Sequence, residues 1–372
     1  MKYVRMAIEK ESPEQLGYDK IKYNLTESSI RDRSLSDFGV VVEDMLLPYG
    51  DHFGKEELRE VIAAQWGKPL TAENILVTSG AAGALFIIAT SLLEKGDHIV
   101  VVRPNYATNI ETPRAIGCDI SYVDLTFEEG YRVDVEKVES FMNDRTKLIS
   151  FTSPHNPTGT VLREEELKVL VDLAERRGCW LLLDETYREL AYGKQTSPAA
   201  TLSDRAISVS SMSKSYGIPG IRIGWLATQD PELYELFLSA KEQIGICGSV
   251  VDEEIAFQVL KNKDTWMPQI LEYNKKAFNT MKKWIESEEA MEWVEPEGGV
   301  VCFPRIKPSL PVDIDLFYDR LNNEYGTYVG PGHWFEMPRN YMRIGYAWPL
   351  PEELEKGLEG ISLAIKDSLK AR

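Results

Sequence analysis

The sequence is short of the residues from which metal centres and disulfide frameworks are built. Its 372 residues include only four cysteines (Cys118, Cys179, Cys247, Cys302) and four histidines (His52, His98, His155, His333). The cysteines are far apart with no C-x-x-C, and the histidines form no pair at helical spacing, so no metal site and no disulfide framework is expected. Long hydrophobic runs are missing as well. No stretch reaches the roughly 20 apolar residues of a membrane helix, and the opening MKYVRMAIEKESPEQ is charged where a signal peptide is apolar. A cytoplasmic protein without a membrane partner is the expectation. Positive charge is scarce: 42 Lys and Arg against 59 Asp and Glu leave a formal net charge of -17, which makes nucleic acid a poor partner. No G-x-G-x-x-G follows the first strong strand pattern, which argues against a nicotinamide enzyme.

What is present is a core-forming pattern. Hydrophobic residues make up 43% of the chain, and apolar runs alternate with amphipathic stretches as in a mostly parallel sheet covered by helices. The runs are NILVTS (74–79), HIVVVRP (98–104), DISYVDL (119–125), KLISFTS (147–153), WLLLDE (180–185), AISVSS (206–211) and RIGWLAT (222–228). Between them, EEELKVLVDLAERRG predicts a helix ending on a C-cap glycine. From about Val251 to Glu289 the pattern is long amphipathic helix; GGVVCFPRI (298–306), YGTYVGPG (325–332) and YMRIGYA (341–347) then restart short strands. That predicts an α/β protein with a seven-stranded sheet and a second, smaller α+β unit.

In parallel sheets, ligands gather outside the carboxyl ends of the strands. Here those ends carry Ser79-Gly80-Ala81-Ala82-Gly83, Arg103-Pro104-Asn105-Tyr106, Pro154-His155-Asn156-Pro157-Thr158-Gly159, Asp184-Glu185-Thr186-Tyr187 and Ser211-Met212-Ser213-Lys214. Alone, each reads as an ordinary turn or strand end; together they point at one place. A lysine flanked by small hydroxyl residues suits a Schiff base with a carbonyl cofactor. A carboxylate that ends a buried strand, Asp184, calls for a cation, and a protonated pyridine nitrogen is one. Helix-start amides at Ala81 and Ala82, with Ser211 and Arg222, would hold a phosphate dianion. Pyridoxal 5'-phosphate unites an aldehyde, a pyridine and a phosphate.

At these residues the chain resembles the pyridoxal-phosphate enzymes of the aspartate aminotransferase fold type, the class I and II aminotransferases. The resemblance runs from YGDHFGKEELREVIAAQ through TSGAAGAL, RPNY, NPTGTV, DETY and SMSKSYGIPGIRIGW to YMRIGY. It implies a fold type I transferase with a large domain over 46–263 and a small domain built from both chain ends, 1–45 and 264–372. It implies a Schiff base on Lys214, a pyridinium partner in Asp184, Tyr106 stacked on the ring, and ring-hydroxyl contacts from Asn156 and Tyr187. Ala81, Ala82, Ser211 and Arg222 would bind the phosphate, and Arg343 would clamp the substrate α-carboxylate, with Asn156 beside it. Ser213, Thr158 and Glu185 read as support. The resemblance also implies a homodimer with shared sites, Tyr49 reaching the partner's phosphate. Substrates would be an L-amino acid and a 2-oxo acid.

The chain departs from the pattern at the side-chain end of the substrate. It has no arginine between Arg222 and Asp264, where some dicarboxylate-specific members place one. YNLTESSIRD stands where members often have a small residue; with GGVVCFPRI and VGPGHWF it is closer to a branch resembling capreomycidine-synthase-like enzymes, some of which eliminate or oxidise. A lyase or oxidase acting on an amino acid, an arginine-like one among the candidates, on the same cofactor and fold is therefore the alternative reaction. A non-catalytic regulator domain is the third reading, and the 45 or so residues before Leu46 leave little room for its DNA-binding module. Glu27 either faces the substrate side chain, favouring neutral or cationic groups, or is solvated or caps the helix-like SIRDRSLSDF that follows it.

Overall fold

A computed structural model describes residues 1–42 and 44–369 of the protein. Strand β1 (Tyr23–Leu25) comes first in the chain, but its partner lies far downstream. The main sheet is built next, from β2 (Ile75–Ser79), β3 (His98–Arg103), β4 (Asp119–Asp124), β5 (Thr146–Thr152), β6 (Trp180–Asp184), β7 (Ala206–Ser211) and β8 (Ile223–Ala227). Its order is β2-β8-β7-β6-β5-β3-β4, with seven strands. Each of the seven apolar runs forms one of them. All pairings are parallel except those of β8, which runs antiparallel to both β2 and β7. The central strands are buried on both faces, which is why they read as continuous Val/Ile/Leu runs rather than as alternating patterns.

Helices cover the sheet. Glu164–Arg177 buries Leu167, Leu170, Val171 and Ala174, one helical stripe. Three glutamates open it, two arginines close it, and Gly178 caps it at φ 65°, as the sequence predicts. The stretch expected as one long helix from Val251 is two, Val250–Lys261 and Lys263–Ser287. The break at Asn262 has a local cause: its side chain donates to the Gln258 carbonyl at 3.0 Å and Trp266 Nε1 donates to Val259 O at 3.1 Å, taking carbonyls that helical amides would otherwise use.

The smaller unit follows. Strands β9 (Met291–Glu292) and β11 (Arg305–Ile306) pair with each other, while β10 (Val301–Cys302), β12 (Thr327–Pro331) and β13 (Met342–Gly345) join β1 in a four-stranded sheet ordered β1-β12-β13-β10. β1 pairs with β12 in parallel register, Tyr23 opposite Thr327 and Leu25 opposite Val329. One apolar core runs from Val77 and Trp225 at the edge of the main sheet, through Trp266, to Leu25, Leu321 and Leu358. The carboxyl ends of β5, β6 and β7 thereby face β13 across a cleft, which residues 26–33 line.

Candidate active site

One end of the cleft is an anion cradle. The helix Gly80–Leu92 starts directly at the end of β2, so its first amides point outward. Gly80 has φ +71°, and a Cβ there would stand 2.6 Å from Arg222 Nη2; a Cβ on Gly224 would stand 2.4 Å from the Gly80 carbonyl carbon. Only glycines let the β8 backbone and the Arg222 guanidinium come this close to the helix start. Arg222, itself left-handed at φ 51°, donates to Pro219 O at 2.9 Å and lies 3.4 Å from Ser213 Oγ. Ser211 Oγ accepts from Ser213 N at 3.3 Å. Arg222 has no carboxylate partner among the described residues. Ala81, Ala82, Ser211 and Arg222 therefore come together as a cationic, donor-rich concavity of the kind that binds a phosphate.

At the centre stand a carboxylate and an amine. Asp184, 5% exposed at the end of β6, accepts from Thr186 N at 3.1 Å and from Thr186 Oγ1 at 2.6 Å, both at Oδ1. No cation pairs with it among the described residues. Burial pushes its carboxyl above the usual range, against those two hydrogen bonds and the positive charge of Lys214. Lys214 follows β7 and keeps part of its surface open to the cleft, its amine making no hydrogen bond or ion pair among the described residues. Burial lowers its pKa, and the charges of Arg343 and Arg222 lower it further; Glu27 and Glu14 oppose them. Tyr106 is near enough to Asp184 and Arg222 for both charges to act on its buried phenol. An unpaired buried acid, a depressed amine and an anion cradle in one cleft match the three functional parts of pyridoxal phosphate.

The far end holds a second cation. Arg343, on β13, is 4% exposed. Its Nη1 donates to Asn156 Oδ1 at 3.1 Å and its Nη2 to the Thr26 carbonyl at 2.7 Å, while Nε has no partner. Phe335 lies under the guanidinium, 5.1 Å from ring centroid to Cζ. A buried guanidinium held by neutral acceptors, with no carboxylate of its own among the described residues, is arranged for a ligand's carboxylate. Tyr187 donates to the Ser28 carbonyl at 2.9 Å, so its proton is used within the chain and its oxygen is left as an acceptor.

The segment after β1 ties these parts together. Besides the Thr26 and Ser28 carbonyls, Ile30 N donates to Lys214 O at 3.2 Å and Arg33 N to Gly217 O at 2.8 Å. The Glu27 carbonyl passes 1.8 Å from where a Cβ on Gly345 would be. Sequence reasoning missed these contacts because they are made by backbone atoms, which carry no residue signature. It missed Phe335 too, although an aromatic beside a buried arginine was visible in VGPGHWF. Glu27 Oε1 accepts from Tyr18 Oη at 3.0 Å and from Asn24 Nδ2 at 3.3 Å. Burial raises its pKa while the Lys214 charge lowers it. The capping alternative fails, since SIRDRSLSDF yields only the short 3-10 turn Leu35–Phe38, capped by Ser34 and Asp37.

The supporting residues are fully engaged: Glu185 accepts from Ser208 Oγ at 2.6 Å, Ala199 N at 3.0 Å and Arg188 at 3.0 Å, and Thr158 bonds Thr160 and His155. Tyr49 is the one candidate that a single chain does not bring to the cleft; it is 84% exposed, beside exposed Leu46 and Leu47.

Comparison with known proteins agrees with this geometry. The chain is 29% identical over 334 residues, 89% of its length and 84% of the relative's, to capreomycidine synthase of Streptomyces vinaceus. It is also 29% identical over 332 residues, 87% and 84% of the two chains, to an aspartate aminotransferase of Thermotoga maritima. The crystal structure of a PLP-dependent aminotransferase from Streptococcus suis superposes with a TM-score of 0.90 at 28% identity, covering 100% of both chains. The family model for aminotransferase class I and II matches residues 40–361, which span every strand end described above. The chain belongs to the class I and II aminotransferases, and it is a pyridoxal-phosphate-dependent enzyme of that family.

Proposed function

We propose that the enzyme exchanges an amino group between an L-amino acid and a 2-oxo acid at the cleft around Lys214, with Arg343 holding the α-carboxylate of each. The observation that carries this reading is the buried Arg343 guanidinium, fixed by Asn156 and Thr26 yet left without a counter-ion among the described residues. When bound, pyridoxal phosphate supplies an aldehyde that captures amines and a ring that accepts an electron pair.

The chain's own residues do the rest. Ala81, Ala82, Ser211 and Arg222 hold the phosphate. Asp184 holds a proton on the ring nitrogen, its own burial making that ion pair strong. Tyr106 would pack on the ring face, and Asn156 and Tyr187 would address the ring hydroxyl. Lys214 Nζ would hold the cofactor, and burial, which lowers the amine's pKa and so favours its neutral form, suits it to take the proton from the donor's α-carbon. Glu27 faces the donor's side chain and disfavours a second carboxylate there.

On the same reading the large domain covers 46–263 and the small one 1–45 with 264–372, which the pairing of β1 with β12 supports. Exposed Leu46, Leu47 and Tyr49 support a homodimer in which Tyr49 reaches the partner's phosphate. No helix among the described residues is long and apolar enough to cross a membrane, and we place the enzyme in the cytoplasm. The test of the reaction is a half-reaction. With an amino donor alone, the cofactor should stop in its pyridoxamine form with one 2-oxo acid released per site. Return to the aldehyde with ammonia or peroxide would instead establish the lyase or oxidase alternative.

A further inference from the structure

The side-chain end of the cleft contains more than Glu27. Tyr18 Oη donates to Glu27 at 3.0 Å, and the short helix Pro13–Leu16 just before it carries Glu14, whose charge acts on Glu27. Tyr18 stacks on Trp348, with ring centroids 6.2 Å apart and planes inclined by 22°. Trp348 lies on the chain shortly after Arg343 and Gly345, and the Glu27 carbonyl is packed on Gly345. Tyr18, Glu27, Trp348 and Arg343 are thus linked through successive contacts rather than by sequence.

The charges there are unbalanced. Glu27 uses one carboxylate oxygen for Tyr18 and Asn24, and neither Glu27 nor Glu14 has a cationic partner within ion-pair distance among the described residues. Arg31 is taken by Glu353 and the Trp348 carbonyl, each at 3.2 Å. It already lies over the Trp348 ring at 5.2 Å, which shows that this ring accepts a guanidinium face. Asp32 accepts from Trp348 Nε1 at 3.1 Å and adds a third carboxylate. The negative charges of Glu27 and Glu14 are felt as far as the Lys214 amine, and that of Glu27 by Arg343. Lys241, bound to the His52 carbonyl, and Lys261, lying over Phe257, are both engaged and are not free to receive a second acidic group. Independently of these acids, the buried and unpartnered Nε of Arg343 marks the opposite end of the same pocket as a carboxylate site.

Resting on the reading of the site given above, we propose that the donor is an amino acid with a long basic side chain. Arg343 takes its α-carboxylate, the Tyr18–Trp348 ring pair borders its stem, and Glu14 and Glu27 hold its cationic tip. The two poles of the pocket then have opposite sign, so a zwitterion with a distal cation is complementary along its whole length and a dicarboxylate is repelled at one end.

The test uses the dimeric or monomeric holoenzyme as purified and ligands that lack the α-amino group and cannot react: 5-guanidinopentanoate, hexanoate and adipate, measured by calorimetry. The expected result is that the guanidino acid binds at least about tenfold tighter than hexanoate, and adipate weaker than either. Glu14→Gln and Glu27→Gln should each weaken the guanidino acid about three- to tenfold while leaving hexanoate within about twofold. Tyr18→Phe, which keeps the ring, should have the smaller effect. Hexanoate or adipate binding as tightly as the guanidino acid overturns the proposal, as does an equal loss for all three ligands in both glutamine variants. Failure of the underlying reading looks different: no donor of any charge then converts the cofactor, and the proposal falls with it.

Discussion

Arg343 Nη1 donates to Asn156 Oδ1 at 3.1 Å across 187 residues of sequence, joining β13 of the smaller unit to the loop after β5 of the main sheet. The bond fixes the guanidinium plane relative to the strand ends, so the carboxylate site and the lysine are held at a set separation.

Arginine at that position supplies a planar fork, which lysine lacks. Arg343→Lys should cut kcat/KM for every amino donor by roughly 100-fold, about 2.7 kcal/mol, with the visible spectrum of the bound cofactor unchanged. Steady-state kinetics alongside a spectrum decide it; unaltered kcat/KM would remove Arg343 from the substrate site.

Lys214→Ala should abolish turnover together with the visible absorbance of the covalently held cofactor. A borohydride-reducible adduct persisting in this variant would assign the attachment to another lysine.

Asp184 has two opposed effects. Asp184→Asn should retain cofactor and lose several orders of magnitude in turnover, because an amide cannot hold the ring nitrogen protonated. In the cofactor-free protein the same change should stabilise. Burial raises the folded carboxyl's pKa above the ordinary 3.8, so the unfolded chain releases that proton first. Stability is therefore lost as pH rises from 3.8 through the folded pKa, and stays lost above it. Thermal melts of the apo forms should show the Asn variant ahead at pH 7 and the gap closing towards pH 4; a gap independent of pH would contradict the cause given.

Gly345→Ala puts a methyl where the Glu27 carbonyl passes, 1.8 Å away. Moving the segment after β1 to make room should cost about 2 kcal/mol of stability, read by urea unfolding. The same shift should raise KM for the donor more than it lowers kcat, since Glu27 moves and Lys214 does not.

Tyr49, with Leu46 and Leu47, is exposed on a single chain. Sedimentation should show a dimer, and Tyr49→Phe should loosen the cofactor by a few fold. A monomer with normal turnover would refute shared sites.

The main sheet was legible because its strands are buried on both faces: β3, β5 and β6 are uninterrupted apolar runs, and polar side chains such as Asp184 and Lys214 stand out at their ends. Side-chain chemistry at those ends named the cofactor. The smaller unit was read less well. β9, β10 and β11 are two residues each, too short for a period, and β1 is defined by its pairing with Thr327–Val329 rather than by anything local. The break at Asn262 depends on a tryptophan, Trp266, reaching back seven residues to the Val259 carbonyl, a detail no hydrophobic pattern carries. Around Glu27, the helix expected in SIRDRSLSDF is only the short turn Leu35–Phe38, capped by Ser34 and Asp37, because a run of serines and charges offers no apolar stripe to bury.

The bond from Arg343 to the Thr26 carbonyl spans 317 residues. During synthesis, Thr26 leaves the ribosome long before its partner is made: at about 5–20 residues per second, roughly 15–60 s earlier. Throughout that interval the segment that closes the cleft has nothing to close onto. The nascent main sheet can fold and display Lys214 and the anion cradle, but the pocket's lid and its floor meet only after β13 has emerged. Closure of the cleft thus waits on the last part of the chain to be made, and in pulse-labelled chains protection of residues 24–30 from protease should appear together with full length.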